Sequence, residues 1–132
     1  MTYTTEQIDR YAHVLAFSCS PELFASLHKQ DRKLSEEITQ FHIIVSILGA
    51  VEYVSSLDDK ITIASLRNHI QTNILKNSSS TVIETKLEIY IPIAVENNLL
   101  TEELLLTDLG KYMIEAKLRA FHISNTASIN PN

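Results

Sequence analysis

The sequence predicts a mostly α-helical domain, and three observations carry that expectation. Its 132 residues include two glycines and three prolines, too few turn-formers for a many-stranded sheet. Apolar residues recur at helical spacing along most of the chain. Polar stretches separate these periodic segments, the clearest being Lys76-Asn77-Ser78-Ser79-Ser80. With 45% apolar and 20% charged residues, a chain of this length buries a single core without covalent staples.

The elements follow in order. Ile8, Tyr11, Ala12 and Leu15 predict an amphipathic helix over residues 4–18. Ser20-Pro21-Glu22 is a helix start: a capping hydroxyl, proline in the first helical position, then an acid in the first turn. Leu23, Phe24 and Leu27 form that helix's apolar face, and His28 to Lys33 reads as a connection or a frayed helix end. Ser35 is the expected N-cap of a helix over 36–56. Ile38, Phe41, Val45 and Leu48 make one apolar stripe there, and Ile44, Ile47, Val51 and Val54 a second. A helix apolar on two sides is buried on two sides, so this is the expected core helix.

Asp58-Asp59-Lys60 predicts a surface turn and Ile61-Thr62-Ile63 a short strand. Leu66, Ile70 and Ile74 predict a helix with one apolar face. After the polar turn a helix over 80–98 places Leu87, Ile91 and Ala94 inward and ends at Asn97-Asn98. Pro92 lies inside it, removes one helical hydrogen bond, and is expected to kink or split it. Leu99 to Leu106 predicts two short strands around Glu102-Glu103. Thr107 then caps a last helix with Leu109, Tyr112, Met113, Ala116 and Ala120 on its inner face. On this reading residues 1–123 are one domain, 1–34 being N-terminal helices and 35–122 the core with its C-terminal helix. Residues 124–132 are a flexible polar tail.

Net charge is −5 and unevenly spread. Residues 1–59 hold four basic and nine acidic side chains, and residues 60–132 hold seven of each. Duplex-binding domains ordinarily carry a basic surplus, because neutralising phosphates supplies most non-specific affinity. No such surplus exists in bulk here. No uninterrupted apolar run approaches the ~20 residues of a membrane span, so no membrane partner is expected. The opening MTYTTEQIDR lacks the basic-then-apolar pattern of a secretory leader.

Catalytic and metal chemistry find little support. Cys19 is the single cysteine, which excludes an internal disulfide and fits a reducing cytoplasm. It precedes a helix start, a position that can activate a thiol, and reads first as a small packing residue. His13, His28, His42, His69 and His122 show no metal-ligand spacing. Gly49 and Gly110 stand alone, so no glycine-rich phosphate loop exists. Neither an enzyme, nor a cofactor, nor a metal is expected.

The order helix, polar turn, helix, short hairpin, helix resembles the MarR-type family of winged-helix transcription regulators. Leu106-Thr107-Asp108-Leu109-Gly110 is similar to the Leu-Thr-x-x-Gly that follows the wing in that family. Ser79-Ser80-Thr81-Val82 is similar to the lead-in of its recognition helix, and Asn98-Leu99-Leu100 stands where that helix is left. The resemblance implies a mostly α winged helix-turn-helix with extra N- and C-terminal helices and a minimal β-hairpin wing. It also implies a homodimer that places helix 80–98 in the major groove of duplex DNA.

The candidate DNA-binding residues are Arg67, Lys76, Ser78, Ser79, Ser80, Thr81, Thr85 and Lys86. The serines and Thr81 lie at a helix N-terminus, where amides and dipole favour phosphate. Arg67 and Lys76 flank the turn, and Thr85 and Lys86 can reach bases or phosphates. A second reading stands beside this one. The helix carries Glu84, Glu88 and Glu96 against Lys86, and the wing tip is Glu102-Glu103. That acidity fits a winged-helix module, or an inhibitor, that binds protein instead of DNA.

Overall fold

A computed structural model describes residues 3–57 and 60–129, with side chains described through Asn125. Among the described residues six helices occur in order: α1 (Thr5–Phe17), α2 (Pro21–Gln30), α3 (Arg32–Leu57), α4 (Ile63–Asn73), α5 (Ser80–Glu96) and α6 (Asp108–Ile129). Among the described residues no strand forms, and the expected mostly α character holds. The chain divides into two compact units, residues 46–111 and residues 3–45 with 112–129. The divisions fall inside α3 and α6.

In the unit of residues 3–45 and 112–129, α1 begins with a capping box. The Thr4 hydroxyl accepts the Gln7 amide at 3.1 Å, and the Gln7 side chain accepts the Thr4 amide at 3.0 Å. Ile8, Tyr11, Ala12, Leu15 and Ala16 are its buried face. Ser20 caps α2 as expected, its Oγ accepting the Leu23 amide at 3.2 Å. α2 itself has no buried residue. Cys19 is exposed between α1 and α2, which corrects its reading as a packing residue.

The α2–α3 junction also differs from expectation. Asp31, not Ser35, starts α3: its Oδ1 accepts the Leu34 amide at 3.0 Å. The same residue closes α2 through its own N–H to the Leu27 carbonyl at 2.8 Å. Ser35 is buried one turn inside α3, where it donates to the Arg32 carbonyl at 2.8 Å and lies 2.7 Å from His28 Nδ1. Two residues can serve as caps here, and the acid three positions ahead of a free amide does so. In the stretch read as a connection or a helix end, only Asp31 lies outside a helix: residues 28–30 end α2 and 32–33 begin α3.

Tyr3, Tyr11 and Phe41 form an aromatic cluster, with ring centres 5.8 to 6.5 Å apart. The Tyr11 hydroxyl donates to Glu37 at 2.8 Å. Burial first, then that hydrogen bond and the Glu37 charge, push the Tyr11 pKa up to about 12. α1 is joined to α6 by Tyr112, whose hydroxyl donates to Asp9 at 2.9 Å, and by Ser124, which donates to the Ala16 carbonyl at 3.2 Å. Met113, Ala116 and Ala120 are buried on α6 as expected, while Tyr112 is half-buried. α6 runs on through Ile129, so the segment read as a tail from residue 124 is helical that far.

In the unit of residues 46–111, the core is built from Ile47, Leu48, Val51, Val54, Leu66, Ile70, Ile83, Leu87, Ile91, Leu99, Leu100 and Leu104. Ile61-Thr62-Ile63 is not a strand. Thr62 and Ser65 make a reciprocal capping box at 3.1 and 3.0 Å, so α4 starts at Ile63. Ile74, expected on the inner face of α4, lies past its end and is exposed. The expected turn at Asp58-Asp59 lies outside the described residues.

α5 is continuous across Pro92. The proline is exposed, so the Glu88 carbonyl that loses its amide partner can be hydrated instead. α5 ends where Asn98 turns into the left-handed region, at φ 60°. The expected hairpin reduces to a single bridge between Leu100 and Leu106. Leu104, at φ 64°, folds the chain back, and Thr101 closes the turn by accepting the Leu105 amide on its Oγ1 at 3.1 Å. So few residues cannot carry a second rung.

α3 is long and apolar enough to cross a membrane by length and composition alone, although the sequence reading finds no uninterrupted apolar run of that size. Half of its most apolar window is buried within the fold.

Candidate nucleic-acid interface

All eight candidate residues fall in α4, α5 and the six-residue turn between them, within one unit. α4 and α5 pack together. Ser79 caps α5, its Oγ accepting the Val82 amide at 3.2 Å. Ser80 donates to Gln71 of α4 at 3.1 Å, so its hydroxyl braces the two helices. Thr85 donates to the Thr81 carbonyl at 2.8 Å. Ser78 is half-buried, with its amide on the Leu75 carbonyl at 3.1 Å. The Ser79, Ser80 and Thr85 hydroxyls therefore have local work at the turn or along the helix, while those of Ser78 and Thr81 hydrogen-bond to nothing among the described residues.

Arg67 is the largest departure from the interface picture. Its guanidinium pairs with Glu84 across α4 and α5, the two side chains being 30% and 41% exposed. A second nitrogen donates to Asn68 at 3.2 Å, and Nε is buried with no hydrogen-bond partner among the described residues. The charge expected to grip phosphate is thus neutralised within the fold. Lys76 and Lys86 are exposed and, among the described residues, stand in no ion pair. Lys60 joins them as an exposed cation that the sequence reading left in a turn.

Charge separates sharply along this unit. Residues 60–87 hold Lys60, Arg67, Lys76 and Lys86 against Glu84, four basic to one acidic, a surplus of +3. Residues 88–110 hold Glu88, Glu96, Glu102, Glu103 and Asp108 with no base, a deficit of −5. The surplus sits on the lead-in to α4, on α4 itself, on the turn and on the first half of α5. The deficit covers the rest of α5 and the turn that stands where a wing would be.

The outer face of α5 is not that of a polar reading helix. At helical spacing it presents Val82, Thr85, Lys86, Ile89, Pro92 and Glu96, all exposed. Val82 is 47% and Ile89 52% exposed. Sequence periodicity assigns apolar positions to a buried face, and Leu87, Ile91 and Ala94 already fill that role. The additional isoleucine and valine make a second stripe that the described residues leave uncovered.

No family model, no curated protein and no solved structure matches this chain. The likeness to MarR-type regulators therefore rests on the motifs themselves. Among the described residues no group of three potential metal ligands lies close enough to hold an ion.

Proposed function

We propose that this chain is a helical protein-interaction module whose working surface is the outer face of α5. The observation that carries the reading is the uncovered apolar stripe of Val82, Ile89 and Pro92 on the very helix that a DNA reader would place in a groove. Apolar side chains lined up along one exposed helix face favour a protein partner, which removes them from water. Glu88 and Glu96 beside the stripe oppose phosphate, and Arg67 is already neutralised by Glu84.

A second reading is a homodimeric, cytoplasmic winged helix-turn-helix regulator that binds duplex DNA. The +3 surplus on residues 60–87, with Lys60, Lys76 and Lys86 unpaired among the described residues, favours it. Ser78 and Thr81 would add hydroxyl contacts at the α5 N-terminus.

Binding of the whole chain to a pool of random duplex DNA, at low and moderate salt, separates the two. The interaction-module reading expects no enriched sequence and, at most, weak binding that vanishes with salt. An enriched two-fold sequence would overturn it. Each protomer would then show a log–log salt slope of about −3, set by the three lysines, and K60E or K76E would reduce it by about one unit.

A further inference from the structure

We infer that the partner covering the α5 stripe is a second copy of the same chain, laid antiparallel along the same helix. The inference rests on reading that face as a protein-binding surface, and it names the occupant from the stripe's charges.

Lys86 and Glu96 bracket the C-terminal part of the stripe, with Ile89, Pro92 and half-buried Ile93 between them and Val82 one turn beyond Lys86. Neither charge has an ion-pair partner among the described residues. The two are ten residues apart, about 15 Å along a helix at 1.5 Å per residue. A two-fold axis crossing α5 midway between them sets each copy's Lys86 against the other's Glu96. The same operation sets Ile89 against the copy's Pro92 and Ile93. One surface thereby supplies both halves of its complement, which is the requirement of an isologous contact. The pairing covers Ile89, Pro92 and Ile93 and forms two Lys86–Glu96 pairs, one at each end. Antiparallel helices also set opposite dipole ends side by side. Because Thr85 and Lys86 are covered in this arrangement, a paired chain cannot present α5 to a nucleic acid.

The test is sedimentation velocity on the full chain, from low micromolar to near-millimolar concentration, with helix content checked by circular dichroism. The wild type is expected to dimerise with concentration. K86E sets carboxylate against carboxylate at both ends, and E96K sets ammonium against ammonium. Each is expected to weaken the dimer on the order of ten-fold. I89E should abolish it. The double variant K86E/E96K restores opposite charges at both ends and should return the dimer to near wild-type strength. An equimolar mixture of the two single variants should likewise form a heterodimer. A wild type that stays monomeric throughout overturns the second-copy assignment while leaving the DNA-pool result to judge the interaction reading separately. A dimer indifferent to K86E, E96K and I89E overturns it as well, and so does failure of both the double variant and the mixture to restore pairing.

Discussion

Gly49 and Gly110 respond to a methyl group in opposite ways. A Cβ on Gly110 would collide with the Leu99 carbonyl oxygen and meet the Leu99 carbonyl carbon at 3.2 Å. G110A should therefore cost about 1–3 kcal/mol, read as a lower midpoint in urea melts. A Cβ on Gly49, inside α3, would meet nothing within 4 Å. G49A should raise stability by about 0.5–1 kcal/mol through helix propensity and unfolded-chain entropy. The Leu-Thr-x-x-Gly signature is thus legible as mechanism. Thr107 accepts the Gly110 amide at 3.0 Å and donates to the Asn98 carbonyl at 2.6 Å, and Gly110 lets the helix close onto Leu99. Tyr11 supplies a pH test. Its folded pKa lies above the unfolded value of 10.0, so its contribution is present below pH 10 and is lost as pH rises toward about 12. Urea melts across that window should show a shallower alkaline loss for Y11F than for the wild type.

Among elements, those with strong periodicity or a cap were legible. α1 follows from its apolar spacing, and α2 and the start of α6 from the Ser20 and Thr107 caps, read directly from the chain. The misreadings share one cause: two local signals compete and the sequence alone does not rank them. Thr62 with Ser65 overrides two β-branched isoleucines, and Asp31 overrides Ser35. The Arg67–Glu84 pair was not legible, because its partners lie 17 positions apart on different helices and no periodicity links them. The α5 stripe was invisible for another reason. Composition shows how many apolar residues a helix has, not which of them the rest of the fold leaves uncovered. α5 also carries an internal cost at Pro92. Because the helix is continuous there, P92A restores a missing hydrogen bond without rearrangement. It should add about 1–3 kcal/mol, measurable as a higher denaturation midpoint.

Over the whole molecule, the net charge of −5 conceals an arrangement in which residues 60–87 are positive and the segments around them negative. Bulk charge is therefore a poor guide to what the α4–α5 face meets. The two compact units differ in how the chain supplies them. One is a continuous run, residues 46–111, while the other needs both ends of the described chain. Its hydrogen bonds from Tyr112 to Asp9 and from Ser124 to Ala16 span 103 and 108 positions. Synthesis on a ribosome proceeds from the N-terminus, so the continuous unit can be complete while the split one still lacks α6. Chains stalled once Lys111 has cleared the ribosome should resist protease within 46–111 yet be cut after Arg10, and release of residues 112–129 should protect that site. Early protection of Arg10 would contradict this order. Until α6 emerges, α1 lacks the hydrogen bonds from Tyr112 and Ser124 that tie it to the C-terminal helix, and in that interval a newborn chain most needs a chaperone.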